Sequence, residues 1–570
     1  MTSVYQVYQD YIWKGEQEEL AKKLYNEPIP TLDALCERAP AVMERYRETL
    51  WHTPEKMQLV KEEITKANAS IGSLTPAVED TIATLEFGAV ESAHQSVVLG
   101  GPGYILNKAA TAKKVASLSR DKGLNLAPFF FVADYDEVQS ELTHVRTPLV
   151  GSDGNLVSIP VPERHEHSPV YVLPLPEVDW YREVEESIRE NYTAMMKAIE
   201  GSARLVYEER LEQALSVSRW AFVNSKTMGE WAQRILGRLF NVEGDLGVPI
   251  IPASNPEVRD LLVEGMEFLL ARENRDRFLR SFDEATRFIT ERGYVPGIGS
   301  RDPDYVPFFY ECPETECYRS RIELSYEGQG SEIALSGRCP NCGQTYVIET
   351  NAESPYLAEF ARYLSPRVDT RQFVVDTMIP IVAHIGGPGE TAYYAQVIPG
   401  AEAINVPFPL FIRYPRVYFN TPWGEELGRS LEEKEMAVLH GRDLFRNLGK
   451  TAKHRRKAKH EEMNQTLADL HDMIHSRHSK LNEQLEELDE KIEKASEKEA
   501  EEMRNLKLEL ERYLSWTFGQ YAPGKLGQES SWSWIEWAVN SGFPDLFGPY
   551  DRAYVGEMRN GATVFVNFFV

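Results

Sequence analysis

VVLGGPGYILNK (Val97–Lys108) is an apolar run, a glycine-proline-glycine turn and a helical pattern, and the chain repeats that design as AHIGGPGETAYYAQ (Ala383–Gln396). In each copy the proline supplies a fixed φ suited to a first helical turn, and the glycines let backbone approach a ligand closely. A helix start presents unpaired N–H groups with partial positive charge, a seat for phosphate or carboxylate. One such turn means little, because tight strand-to-helix turns use glycine for packing alone. Two of them, in halves able to face each other across the switch point of one sheet, point to a ligand crevice. Neither turn matches G-x-G-x-x-G. GRDLFRNLGKT (Gly441–Thr451) has seven residues between its glycines where a Walker A loop has four, so a P-loop is excluded.

Working outward, strand signals at Gln95–Leu99 and Ala127–Ala133 flank a helical stretch, Tyr104–Ser119, the pattern of a βαβ unit with a parallel sheet. A β-rich segment, SPVYVLPLP (Ser168–Pro176), leads into helical patterns from Trp180 to Leu239. A strand at Gly247–Ile251 precedes a helix opened by Ser254-Asn255-Pro256. Sheet pattern resumes at Ile379–Ile385 and Pro409–Phe419, around a helix at Glu390–Ile404. The expected fold class is α/β, a doubly wound parallel sheet with insertions. Its parts are a helical segment (1–85), two core portions (86–304 and 351–430) around a cysteine-bearing insertion (305–350), a coiled coil (431–517) and a closing segment (518–570) that packs on the core.

The 570 residues suffice for three or four domains of ordinary size, and 42% hydrophobic with 26% charged residues is ordinary for a globular chain. The formal charge of −26 repels nucleic acid and anionic membranes, so neither is an expected partner. The start, MTSVYQVYQDYIWKGEQEEL, lacks the apolar core of a secretory signal, and no run nears the ~18 apolar residues of a membrane span. A cytoplasmic location is expected.

From Lys450 to Phe518 run 69 residues without glycine or proline. Leu467, Ile474, Leu481, Leu488 and Ala495 stand seven apart, with Leu485 and Ile492 at a second seam position, as in a coiled coil. The seam weakens across Lys494–Glu502 and restarts at Met503, so one long helix and an antiparallel hairpin both fit. A second copy of the chain is the simplest cover for the stripe, which makes a homodimer the expected assembly.

Four of the five cysteines cluster as ECPETEC and RCPNCG, giving C-x4-C and C-x2-C separated by 21 residues. Four thiolates suit tetrahedral zinc, and a Cys-Pro-x-Cys-Gly turn puts two on one knuckle. Cys312, Cys317, Cys339 and Cys342 are therefore expected to hold a structural zinc in a ribbon, with no open ligand position for catalysis. Tyr310–Glu349 has three arginines, no lysine and seven glutamates, which argues for scaffolding over nucleic-acid binding. Cys36 reads as a buried thiol. The basic cluster Lys450–His460 reads mainly as a solvated helix face, ERHEH (Glu163–His167) as a polar loop, and SSWSWIEWAV (Ser530–Val539) as packing.

AHQSVVLGGPGYILNK (Ala93–Lys108), LSPRVDTRQFVVDTMIPIVAHIGGPGETAYYAQV (Leu364–Val397) and FGQYAPGKLGQESSW (Phe518–Trp532) resemble the bacillithiol-biosynthesis cysteine-adding family, the BshC-like proteins. The resemblance implies a Rossmann-like core related to class I aminoacyl-tRNA synthetases, helical insertions and a dimerising coiled coil. It implies a ligase that joins the carboxylate of cysteine to an amino-sugar amine after activation by ATP, with magnesium as the nucleotide's companion ion. Carried onto this chain, it puts His94, Gln95, Gly100, Gly101, Gly103, Tyr104 and Lys108 on one side of the pocket. His384, Gly386, Gly387, Gly389, Glu390 and Tyr393 fall on the other. Lys108 would reach a phosphate, Glu390 would hold an amine, and Asp134 and Asp136 would serve as acid-base or amine-binding groups. The chain reads Ala93-His94-Gln95 where the family reads Gly-Gln-Gln, and ADYDEV (Ala133–Val138) lacks the family's histidine. The rival reading is a non-catalytic, ligand-binding dimeric scaffold.

Overall fold

A computed structural model describes residues 2–147, 155–457, 459–514 and 528–568. Five helices precede the first core strand: Tyr5–Lys14 (α1), Glu18–Tyr25, Leu32–Thr49, Pro54–Ile71 and Pro76–Ile82. Thr31, Thr53 and Thr75 cap three of them, each hydroxyl accepting from an amide of the first turn.

The core sheet has five strands: Ala89–His94 (β1), Ala127–Val132 (β2), Ile250–Pro252 (β3), Ile381–Gly386 (β4) and Leu410–Arg413 (β5). Their spatial order is β5-β4-β1-β2-β3, and every pairing is parallel. The chain winds outward from β1 through β3, then returns to lay β4 on the other side of β1. Between β1 and β4 lies the topological switch point, where open α/β sheets bind ligands beyond the strand ends. Helix α2 (Tyr104–Asp121) follows β1, α3 (Pro256–Leu270) follows β3, and α4 (Pro388–Ala403) follows β4. The buried side chains of α2 and those of α4 belong to different core clusters, so both sheet faces are covered. That double burial is why β2 and β4 read as continuous apolar runs without alternation.

Three strand expectations shift. Gln95–Leu99 is not strand: β1 ends at His94, and Val98–Gly100 curls into a 3-10 turn with Leu99 at φ 56°. SPVYVLPLP holds a 3-10 turn at Val170–Val172, because Pro169, Pro174 and Pro176 have no N–H to give a ladder. Pro409–Phe419 divides into β5 and a separate strand, Arg416–Asn420, which pairs in parallel with Thr563–Asn567.

The cysteine-bearing insertion forms an antiparallel sheet, ordered Thr345–Asn351, Glu332–Arg338, Arg321–Glu327, Tyr305–Glu311 and Leu364–Pro366. Buried Glu311, beside Cys312, pairs with Arg259 of α3 at 2.7 Å, tying this sheet to the core.

The heptad region is the hairpin alternative. Helix His460–Lys494 stops at Ala495, Ser496 and Glu499 form a capping box, and Glu497–Tyr513 runs back so that Lys507 pairs with Asp489. Leu481 and Leu488 are buried in one cluster with Leu444 and Leu510 of the same chain. The stripe expected to need a second copy is thus largely covered by the chain's own helices. Most of FGQYAPGKLGQESSW lies outside the described residues. Among the described residues no helix is long and apolar enough to cross a membrane.

Candidate functional site

The two glycine turns lie beyond the carboxyl ends of β1 and β4, neighbours across the switch point. One ion pair joins the helices they open: Lys108 Nζ donates to Glu390 Oε1 at 2.6 Å and to the Ala93 carbonyl at 3.0 Å. Lys108 lies one turn beyond Tyr104 on α2, and Glu390 is the third residue of α4. Its second oxygen, Oε2, accepts from the Gly387 amide at 3.0 Å. Burial alone would raise the Glu390 carboxyl, but Lys108 and then His384 more than offset this and hold it far below the usual carboxylate range. Tyr104 and Tyr414 stack at 6.0 Å beside the ammonium, and Tyr104 Oη meets His94 Nε2 at 2.5 Å. Burial, with the nearby Lys108 charge, pushes His94 down to about 4, so its ring is neutral at pH 7.

The turns differ in what their backbones do. Around Gly100, Gly101 and Gly103 the peptide groups are already bonded within the chain. Gly101 N donates to the Val98 carbonyl, Gly103 N to that of Trp532, and Trp534 donates to the carbonyls of Gly101 and Leu99. Gly101 has φ +88°, and an added Cβ would meet Ile105 at 2.6 Å. The first turn is a packing turn roofed by the tryptophans of the closing segment, not the open cradle expected of it. The second turn is open on one side. Gly386 is buried against Phe411, where a Cβ would sit 2.5 Å from the ring, whereas Pro388 and Gly389 are exposed and nothing lies within 4 Å of a Gly389 Cβ.

His384 is fully buried beneath this surface. Its Nδ1 lies 2.9 Å from Glu91, its register partner on β1, and Glu91 also takes Arg371. Burial opposes the Glu91 charge, yet Arg371 and His384 hold it at about 2. Among the described residues His384 Nε2 has no hydrogen-bond partner. Tyr393 is half-buried on α4, its hydroxyl near Arg371.

Asp134 and Asp136 part company. Asp134 is wholly buried: Oδ1 accepts from Ser254 N at 2.7 Å, and Oδ2 from Ser254 Oγ and from Gln233 Nε2. Burial pushes it up to about 6, and it straps β2 to the turn after β3, out of reach of a substrate. Asp136 is half-buried, 3.6 Å from Arg321 of the antiparallel sheet and bonded to Gln95. Lys108, Glu390, Tyr104, His94, Gln95, Asp136 and the second glycine turn are therefore the sequence-derived residues at the sheet's carboxyl end with polar atoms near its surface. Glu91, Arg371, Arg321 and Tyr414 were missed. Arg371 lies inside the quoted LSPRVDTRQF and opens the helix Arg371–Met378 that precedes β4, so a charged residue leading an otherwise apolar helix was the available signal.

Cys312, Cys317, Cys339 and Cys342 converge, their Sγ atoms all within 4.8 Å of one another. Cys312 follows strand Tyr305–Glu311, Cys317 ends a 3-10 turn, and Cys339 and Cys342 share one knuckle. Tyr346 Oη lies 3.2 Å from Cys312 Sγ. Four cysteine sulfurs so gathered fit a tetrahedral thiolate site.

A parallel sheet in this order, with charged groups converging at its switch point, defines a Rossmann-like fold. The chain belongs to the family described as "Bacillithiol biosynthesis BshC, N-terminal Rossmann-like domain", which matches residues 1–417. Similar curated proteins, each named "Putative cysteine ligase BshC", come from Chloroherpeton thalassium (28% identical, covering 36% of this chain and 33% of that protein), Solibacter usitatus (25%, covering 54% and 50%) and Natranaerobius thermophilus (24%, covering 60% and 56%). The chain thus spans between a third and just over half the length of these relatives.

Proposed function

We propose that the chain is an ATP-dependent ligase that couples the carboxylate of an amino acid, cysteine by family, to an amine such as an amino-sugar conjugate in low-molecular-weight thiol synthesis. The observation that carries this is the Lys108–Glu390 pair, which sets a cation and an anion at the switch point beside the exposed Pro388–Gly389 turn. A carboxylate is unreactive toward amines until its oxygen becomes a leaving group. Attack of that oxygen on ATP expels pyrophosphate or ADP. The amine then attacks the activated carbonyl, AMP or phosphate departs, and the new amide nitrogen loses a proton. In this scheme Lys108 swings from Glu390 to phosphate oxygens, and the freed Glu390 carboxylate takes the substrate ammonium. Asp136, the half-buried acid, is the candidate to accept the amine proton. Neutral His94 and Tyr104 position the adjacent wall, and Mg²⁺ would accompany the nucleotide. A structural zinc on the four cysteines would brace the sheet that supplies Arg321.

Hydroxylamine tests this without knowledge of the acceptor, since it traps an activated acyl group as a hydroxamate. Full-length protein with ATP, Mg²⁺, cysteine and hydroxylamine should form cysteine hydroxamate in step with AMP or ADP. Nucleotide and cysteine binding without hydroxamate, even with amino-sugar acceptors, would favour the scaffold reading.

A further inference from the structure

In a chain with 88 acidic and 62 basic residues, buried arginines should find carboxylates readily. Arg259 has Glu311, Arg371 has Glu91 and Arg301 has Asp369. Arg413, the last residue of β5, is the exception. It is 8% exposed, forms no ion pair, and its guanidinium donates no hydrogen bond among the described residues. Its Nε is fully covered without an acceptor. The nearest aromatic face is Tyr5 of α1, with the ring centroid 5.5 Å from Cζ. Burial shifts the guanidinium toward its neutral form, and the charge of Arg416 pushes the same way. Arg416, exposed at the rim, has no carboxylate partner among the described residues either, and its Nη1 reaches only the Tyr418 hydroxyl at 3.5 Å. Two neighbouring cations with no carboxylate in ion-pair contact, one of them buried and the other feeling buried Glu529 only at longer range, are costly unless an anion joins them.

The surrounding backbone holds this arrangement firmly. Arg413 N donates to Asn560 Oδ1 at 2.8 Å, Gly561 N to the Arg413 carbonyl at 3.2 Å, and Arg416 N to the Ala562 carbonyl at 2.7 Å. Gly561 has φ +67°, and a Cβ there would lie 3.4 Å from Arg413 Cζ, so glycine lets the turn lie against the guanidinium. Arg413 is also in register with Gly386 on β4, and Tyr414 N donates to the Gly386 carbonyl at 3.1 Å. The cation pair therefore flanks the open glycine turn, one strand out from the Lys108–Glu390 pair.

We infer that Arg413, with Arg416 at its rim, is a seat for one oxyanion, a carboxylate or phosphate carried by a ligand of this crevice. The inference deepens the ligase reading by assigning one substrate an anionic end bound away from Lys108. An arginine fork suits either group through paired, charge-assisted hydrogen bonds.

Calorimetric titration of the full chain with inorganic phosphate and, separately, succinate tests the seat and identifies which anion it takes. Wild type should bind at least one probe. Arg413→Gln should weaken that binding tenfold or more, and Arg413→Lys less. In anion-free buffer Arg413→Gln should melt at or above the wild-type temperature, because the charge it removes has no partner. The inference is overturned if neither probe binds, if Arg413→Gln binds as wild type does, or if Arg413→Gln melts lower or fails to fold. A failed hydroxamate assay beside Arg413-dependent binding would remove the ligase reading and leave the seat standing.

Discussion

Glu390→Gln isolates the pair at the centre of the site. The substitution keeps the side chain's shape and leaves an oxygen for the Gly387 amide, but it removes the charge 2.6 Å from Lys108 Nζ. The lysine side chain is 4% exposed, so its ammonium would stay buried with only the Ala93 carbonyl as a close partner. Removing one member of a buried pair costs roughly 3–5 kcal/mol, and the 21% exposure of Glu390 puts this case near ~3 kcal/mol. At about 1.4 kcal/mol per decade, the locally open population should rise ~100-fold. Amide hydrogen exchange followed by mass spectrometry reads this directly in peptides covering 94–108 and 386–394. Lys108→Met combined with Glu390→Gln removes both charges and should recover most of the protection, since an absent pair leaves nothing uncompensated. Unchanged exchange in Glu390→Gln, or no recovery in the double variant, would refute the claim that this contact holds the two helices together.

Gly101→Ala, at φ +88° with Ile105 2.6 Å from the new Cβ, should cost about 1–3 kcal/mol, whereas Gly389→Ala, with nothing within 4 Å, should leave denaturant midpoints unchanged. Cys339→Ser should lower bound zinc, measured by elemental analysis, from about one per chain to near none; a wild type purified with far less than one zinc would dispose of the metal site. Burial raises the Glu529 carboxyl to about 7 against bonds from Val417 N, Asn107 and Tyr550. Because its folded pKa lies above the unfolded value, the folded state binds the extra proton. The associated stability is fully present below about pH 4.5 and is lost as pH rises through about 7. Glu529→Gln should flatten that decline by up to ~3 kcal/mol between pH 5 and 7.5 in denaturant titrations, and an unaltered slope would reject the assignment.

The parallel α/β class of the core was legible because its signals are local, whereas the strand order and the bounds of β1 were not. Two apolar runs each end in Gly-Gly-Pro-Gly, and Asn255-Pro256 opens a helix after β3. Four cysteines in two knuckle spacings likewise announced their convergence. Position alone, however, does not reveal what else uses a group. The backbone around Gly101 reads as free in sequence, yet the Gly103 amide donates to the Trp532 carbonyl and the carbonyls of Gly101 and Leu99 accept from Trp534, more than four hundred residues away. Asp134 and Asp136 look equivalent in ADYDEV. Both lie past the end of β2 at Val132, but the first is buried against Ser254 and Gln233, while the second is half-buried beside Arg321, a partner from a sheet inserted far along the chain. The heptad stripe gave the helices but not their partner, because chain reversal at Ser496 places a leucine-bearing helix of the same molecule against it. Arg413 carried no motif at all; only burial without a carboxylate marks it.

The most direct test of the account is a crystal structure of the full chain soaked with ATP, Mg²⁺ and cysteine. The account places phosphate density within contact of Lys108 Nζ and the Pro388–Gly389 turn, with the ammonium of cysteine on Glu390. Nucleotide bound elsewhere, with the Lys108–Glu390 pair still closed and its surroundings empty, would contradict it.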